Sequence, residues 1–297
     1  MPELPEVETI ARGLASRVTG DIIESVWLGS KSEPLKSTAA EIVATLESRR
    51  IAGVRRVGKH IVFDLEPAAS VGRTLLSAKG RTRTRGSAKR KKAGEDARPT
   101  PSQWIVHLGM TGRMVVCPPD SEMAKHTHLV AKLESGRELR FVDPRRFGRL
   151  SVAQGFEASG SEPLEVQKEH FVSLFHGRKT PIKSALLNQK LLRGVGNIYA
   201  DESLFRAGVR PRRRASSLTR EDLQRLYPAV QEVLREAIAL GGSSVSDYVD
   251  ADGEEGFFQL QHRVYGREGE PCLVCKTPIK RVVIAGRSSH YCPKCQK

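Results

Sequence analysis

Met1-Pro2-Glu3-Leu4-Pro5-Glu6 opens the chain, and the rest is read outward from it. Two carboxylates stand three residues apart, which puts them on one face if a helix starts here. Pro5 suits the first turn of that helix, and Val7, Ile10 and Leu14 continue it as an apolar stripe. Trimming of Met1, plausible because the next residue is small, would leave Pro2 with a secondary amine. An α-amine titrates at about 8. Part of it is therefore deprotonated near neutrality and able to attack an electrophilic carbon, forming an iminium. The pattern is short, and by itself it also describes an ordinary amphipathic helix start.

The 297 residues suffice for more than one domain with a sizeable core. A formal net charge of +15 favours a polyanionic partner, most simply nucleic acid. Charge alone does not separate DNA from RNA or from an anionic membrane. No apolar run reaches membrane-spanning length, and the acidic first residues lack a signal-peptide core. The expectation is a cytoplasmic, nucleoid-associated protein with no membrane contact.

Beyond the first helix, 22–28 has strand character and 38–46 has helical spacing. Strands are then expected at 61–65, 73–76, 104–108, 113–117, 128–133, 138–141 and 149–152, punctuated by Gly109, Gly112 and Gly136. The economical reading is an N-terminal β-sandwich with flanking helices over 1–152. Residues 79–103 interrupt it. They begin KGRTRTRGSAKRKK and read as a mobile basic insertion: an idle solvated loop, a clamp on phosphates, or a localisation or partner tag. Residues 153–167 suit a linker. A helical domain follows over 168–262. Its long helix opens with Thr219 as N-cap and Asp222 at N3 and closes at Gly241-Gly242. Residues 243–262 have little periodicity and read as a long loop.

Four of the five cysteines fall in the last 26 residues as Cys272-x2-Cys275 and Cys292-x2-Cys295. Two such knuckles close a tetrahedral thiolate site, which predicts one structural Zn2+ in a zinc-ribbon finger over 263–297. Between the pairs, 278–284 and 288–291 are expected to form a hairpin around Gly286-Arg287. Other short stretches stay ambiguous alone. Gly194-Val195-Gly196-Asn197 fits a phosphate-holding turn or a plain interhelix turn. Asp143-Pro144-Arg145-Arg146-Phe147-Gly148 fits a duplex wedge or a buried phenylalanine beside solvated arginines. Met110, between glycines, is a wedge or simply exposed. His107 reads as a satisfied structural histidine more readily than as a base. Arg55, Arg56, Lys59 and His60 form a further basic cluster.

Together these stretches resemble bacterial formamidopyrimidine-DNA glycosylase over nearly the full length. The resemblance rests on MPELPEVET (1–9), HLGMTG (107–112), DPRRFG (143–148), KLLRGVGNIYADESLF (190–205) and the four-cysteine finger. It implies a multidomain α+β fold: β-sandwich, helix–two-turn–helix (H2TH) domain and zinc finger. It also implies a monomer that excises oxidised purines such as 8-oxoguanine and formamidopyrimidines from damaged double-stranded DNA, then cuts the abasic site by β,δ-elimination.

The resemblance assigns Pro2 as nucleophile, Glu3 as acid and Glu6 as its supporting carboxylate. Lys59 becomes a catalytic contact to phosphate. Met110, Arg145 and Phe147 fill the gap left by the extruded base. Asn197 and Arg287 clamp phosphates, Arg287 with a catalytic part, while His107 belongs to the DNA-binding set and Tyr265 is structural. Three other readings stand beside this one: an endonuclease VIII-like lyase for oxidised pyrimidines, whose opening motif usually carries glycine in place of Leu4, a non-enzymatic zinc-dependent DNA-binding protein, and an RNA-binding protein.

Overall fold

The computed structural model describes residues 1–68, 102–244 and 256–297. The expected strand at 73–76 and nearly all of the basic insertion lie outside the described residues. The insertion's last two positions, 102 and 103, do not belong to a loop. They begin a strand, where Gln103 donates to Asp64 (2.6 Å) and accepts the Phe156 N–H (2.5 Å).

The chain begins with helix α1 (Leu4–Val18). Its apolar stripe is the expected one: Val7, Ile10 and Leu14 are buried, with Val18 a turn further on. Each such side chain contributes roughly 2 kcal/mol by leaving water, so packing rather than propensity holds the helix. Strand β1 (Ile22–Leu28) and helix α2 (Ala39–Leu46) follow, then β2 (Arg49–Val57), β3 (His60–Pro67), β4 (Ser102–His107) and β5 (Arg113–Cys117). Strands β6 (Thr127–Leu133), β7 (Glu138–Val142) and β8 (Arg149–Gln154) complete a fully antiparallel sheet in the order β5-β7-β6-β1-β2-β3-β4-β8.

One apolar core takes residues from all eight strands, Ile23 and Phe141 as much as Phe63 and Leu150. The sheet therefore folds over itself as a sandwich. Register shifts in β1 (between Ile23 and Ser25) and β2 (between Ile51 and Gly53) supply the bends. Strand β2 was not foreseen. Its sequence RRIAGVRRV buries only Ile51 and Val57, and the bulge at Gly53 breaks the period of two that marks a strand.

The second half is helical: α3 (Lys168–Phe175), α4 (Ile182–Leu186), α5 (Asn197–Arg206) and α6 (Arg220–Ala239). Thr219 caps α6 as expected, accepting the Asp222 N–H while Asp222 accepts the Thr219 N–H, both at 3.1 Å. Leu4 belongs to this core rather than to the sandwich, so the chain's start is stitched into the helical domain. The expected long loop after α6 is only partly described. Ser243 bridges to Phe257, and a 3-10 turn covers Phe258–Gln261. Strands β9 (Lys280–Ile284) and β10 (Arg287–Tyr291) then form the finger hairpin. Its two-residue turn is Ala285-Gly286 (φ 48° and 76°), one residue earlier than expected, because the tight twisted turn needs positive φ at both positions. Arg287 is thus the first residue of the return strand.

Candidate active site

Glu3 is the N-cap of α1 and Glu6 sits at N3, where its Oε2 accepts the Glu3 N–H at 2.8 Å. Pro5 lies in the first turn, where its missing N–H costs nothing. Both carboxylates are buried, and each rests against a glycine. A methyl group at Gly196 would lie 2.1 Å from the Glu3 carboxyl carbon, and one at Gly242 3.0 Å from Glu6 Cγ. These cradles come from the turn before α5 and the turn after α6. The helical domain therefore positions the carboxylates of the sandwich domain's first helix.

Glu3 Oε1 accepts the Ile198 N–H in the first turn of α5 (3.3 Å), and Oε2 has no partner among the described residues. Burial pushes the Glu3 carboxyl up to about 7, against the opposing pull of the Lys59 ammonium. Glu6 is also raised by burial, although Tyr199 Oη and Ser243 N–H (2.8 Å) both donate to its Oε1. Lys59 occupies the two-residue turn between β2 and β3, next to Gly58 (φ 60°). Burial lowers its ammonium pKa, Glu3 and Glu6 oppose that, and Arg287 adds to it. A carboxyl that titrates near neutrality and an ammonium made more acidic thus share one site, as acid–base chemistry needs.

A cavity of about 440 Å³ gathers Pro2, Glu3, Glu6, Lys59, Met110, Asn197 and Arg287 on one lining. Asn197 opens α5, donates to Ser288 Oγ (3.3 Å) and keeps a buried Oδ1 with no partner among the described residues. Gln189, Arg113 and Tyr265 also line the cavity; Gln189 and Arg113 had no assigned role in the sequence reading. Gln189 ties the turn before α5 together, accepting the Gly194 N–H (2.8 Å) and donating to the Val195 carbonyl (2.9 Å).

His107, Arg145 and Phe147 are not in that lining. His107 Nδ1 accepts the Gly109 N–H (3.1 Å), its ring lies 5.0 Å from His60, and burial drives its pKa down to about 4. It is a neutral brace of the turn that follows β4. Met110 and Phe147 both project outward, 44% and 52% exposed, which removes the buried-phenylalanine reading. Arg145 lies over the Phe147 ring at 5.0 Å. Their two turns press together, since a methyl group on Gly109 would reach 2.5 Å from the Gly148 nitrogen.

Sequence reasoning missed the residue that joins these turns. Fully buried Asp143 accepts from Thr111 Oγ1 (2.6 Å), Gly148 N–H (2.7 Å) and Arg145 N–H (3.2 Å). An aspartate just before a proline was the available signal. The basic cluster at 55–60 also changes meaning. Arg55 pairs with Asp64 (2.8 Å) and Arg56 is buried in ion pairs, so only Lys59 of its cations enters the cavity.

The finger is held to α5 by adjacent acids. Asp201 accepts from Ser289 Oγ and His290 N–H (both 2.9 Å) and pairs with fully buried Lys183 (2.7 Å). Glu202 accepts the N–H groups of Arg263, Val264 and Tyr265 at 2.8–3.0 Å. The four finger sulfurs lie within 4.8 Å of one another, with Cys272···Cys295 at 3.9 Å and Cys275···Cys292 at 3.4 Å. A tetrahedral thiolate site needs sulfurs about 3.8 Å apart, so this cluster fits one metal ion.

Three family models match: the formamidopyrimidine-DNA glycosylase N-terminal domain over 1–150, its H2TH domain over 160–249, and the zinc finger found in FPG and IleRS over 269–297. The chain is 43% identical to the formamidopyrimidine-DNA glycosylase of Solibacter usitatus and 42% identical to that of Desulfitobacterium hafniense, in each case over 100% of both chains. Its fold is similar to the MutM (Fpg) protein of Thermus thermophilus (TM-score 0.79, 39% identity, 99% of this chain and 98% of that one). It is also similar to a Lactococcus lactis Fpg in complex with DNA containing an abasic site (TM-score 0.81, 29% identity, 99% of each). The chain belongs to the formamidopyrimidine-DNA glycosylase family.

Proposed function

We propose that the chain is a bifunctional DNA glycosylase and abasic-site lyase that removes oxidised purines from duplex DNA. One observation carries the reading. Pro2, a carboxyl held near pKa 7 and a buried lysine share one cavity, with Met110 exposed at its wall. A stacked base shields its C1′ carbon, so the nucleotide must leave the helix before attack. Met110, Arg145 and Phe147 fill the vacated space and offset part of the unstacking cost. Asn197 and Arg287 hold phosphates on either side of the strand.

The amine of Pro2, with Met1 removed, bonds to C1′. The glycosidic bond breaks, and the base departs with the bonding pair and takes up the proton that the Pro2 nitrogen sheds. Glu3 delivers its proton to the ring oxygen as the sugar opens, leaving an iminium between Pro2 and C1′. Glu6, hydrogen-bonded to the Glu3 N–H, holds the start of the helix in register. The iminium acidifies C2′; loss of that proton expels the 3′ phosphate, and a second elimination expels the 5′ phosphate. Lys59 and Arg287 stabilise the phosphates as they leave. Zinc is the ion we assign to the four thiols. When bound it contributes folding energy to the finger and keeps no open position for chemistry.

The test is a substrate panel with duplexes carrying 8-oxoguanine opposite cytosine or thymine glycol. Faster release of 8-oxoguanine, with strand cutting, is expected. Preference for thymine glycol would move the chain to the pyrimidine branch, and binding without release of either base would leave a non-enzymatic DNA-binding protein.

A further inference from the structure

Three of the segments that line the cavity are the start of α1, the β2–β3 turn and the loop before α5. One buried ion cluster touches all three. Arg56 donates from Nε to Glu8 of α1 (2.8 Å), and from Nη1 (3.1 Å) and Nη2 (2.8 Å) to both oxygens of Glu162. The same Nη1 donates to the carbonyl of Gly58, the residue before Lys59 (3.2 Å). Glu162 also accepts from Arg193 Nε (3.2 Å) in the loop before α5. The Arg193 side chain covers Gly58 so closely that a methyl group there would touch its Cβ at 3.4 Å. Arg193 is followed by Gly194, whose carbonyl accepts the Leu4 N–H (3.0 Å). Arg56 and Glu162 expose only 6% and 8% of their side chains, so water screens this pair little, while Glu8 and Arg193 at its edges are partly exposed.

We propose that Glu162 is a positioning residue: its carboxylate, shared between Arg56 and Arg193, fixes the Lys59 turn against α1 and the loop before α5. It touches no reacting atom. The inference rests on the activity proposed above. With Glu162 neutralised, the buried Arg56 guanidinium, left with Glu8 alone, and the partly exposed Arg193 guanidinium lose the anion they share, and the turn they grip moves. A displacement of about 1 Å at a catalytic group can cost on the order of 100-fold in rate. DNA affinity, spread over many phosphate contacts, changes little.

The experiment compares the full-length zinc-loaded protein with Glu162→Gln. Single-turnover release of 8-oxoguanine is measured beside the Kd for a duplex carrying a tetrahydrofuran abasic-site analogue. Lys59 acetylation by an amine-reactive reagent, read by mass spectrometry, reports the turn without any catalysis. Expected are release slowed at least tenfold, Kd within threefold of the parent, and faster Lys59 acetylation. Parent-like release and acetylation would overturn the proposal, and so would a loss confined to Kd. If Glu162→Gln does not fold, Glu162→Asp and Arg193→Lys keep every charge while shifting the geometry. The same split between rate and Kd is expected of them, and parent-like behaviour in both refutes the proposal. A parent that releases no base removes the activity reading alone, because Lys59 acetylation still judges the clasp.

Discussion

Glu3 concentrates the site's chemistry in one proton. Its carboxyl is held at about 7, so at neutral pH about half of it carries a proton and can act as an acid. Attack needs Glu3 protonated and an α-amine, which titrates at about 8, deprotonated, so base release is expected to peak between about pH 7 and 8 and to fall above it, measured under single-turnover conditions. A rate that keeps climbing to pH 9 would assign the proton elsewhere. Glu3→Gln removes the proton but keeps the shape. Base release should fall by on the order of 10² to 10⁴, with binding to an abasic-site analogue largely kept.

The same burial has a cost in stability. The folded pKa lies above the unfolded one. The group's stabilising proton is thus fully present below the unfolded pKa of about 4.5 and is lost as pH rises through about 7. The penalty at pH 8 is roughly 3 kcal/mol. Glu3→Gln should accordingly melt higher than the parent at pH 8, and the gain should vanish near pH 4. A Tm lowered at pH 8 would mean that Glu3 is placed for stability instead of chemistry.

At the scale of elements, close approach does most of the positioning. The turn before α5 meets Glu3 at Gly196, where any side chain collides with the carboxylate. Gly196→Ala should cost 1–3 kcal/mol, as overpacked sites do, and reduce base release more than DNA binding. Unchanged release would show that the cradle has slack. In the finger, Cys272→Ser should lower bound zinc and loosen the hairpin that carries Arg287, read by metal analysis and proteolysis. A full complement of zinc in that variant would refute the four-thiolate assignment.

Elements were legible in the sequence where period and punctuation agreed. The α1 stripe, the Thr219 cap and the cysteine knuckles are local signals, and the structure has them. Strand β2 was hidden because arginines occupy both exposed and ion-paired buried positions in it and a bulge shifts its period. The finger turn was displaced by one residue because only the backbone shows that Ala285 adopts positive φ.

Across the whole molecule, the cavity's membership was readable and its construction was not. Pro2, Glu3, Lys59, Met110, Asn197 and Arg287 lie up to 285 residues apart, yet each sits in a stretch whose chemistry is visible locally. Asp143, Arg56 and Glu162 have partners far along the chain, which no local pattern reveals, while Gln189 ties only the turn five and six residues on, with no motif to mark it.

Net charge is a property of the whole as well. Residues 81–101 carry eight basic and two acidic side chains, +6 of the total +15, so +9 remains without them. Their deletion, which leaves β4 intact, should weaken non-specific DNA binding and flatten its dependence on salt. An unchanged slope of log Kd against log salt would mean that this segment never meets the duplex.

The proposed mechanism depends on a covalent bond between the second residue and a damaged sugar. The most direct measurement is borohydride trapping on an 8-oxoguanine duplex, with the modified peptide located by mass spectrometry. A cross-link at Pro2 is expected in protein lacking Met1, and none in protein that retains it. Full-rate base release by the Met1-bearing form, or no adduct at full zinc occupancy, would contradict the mechanism.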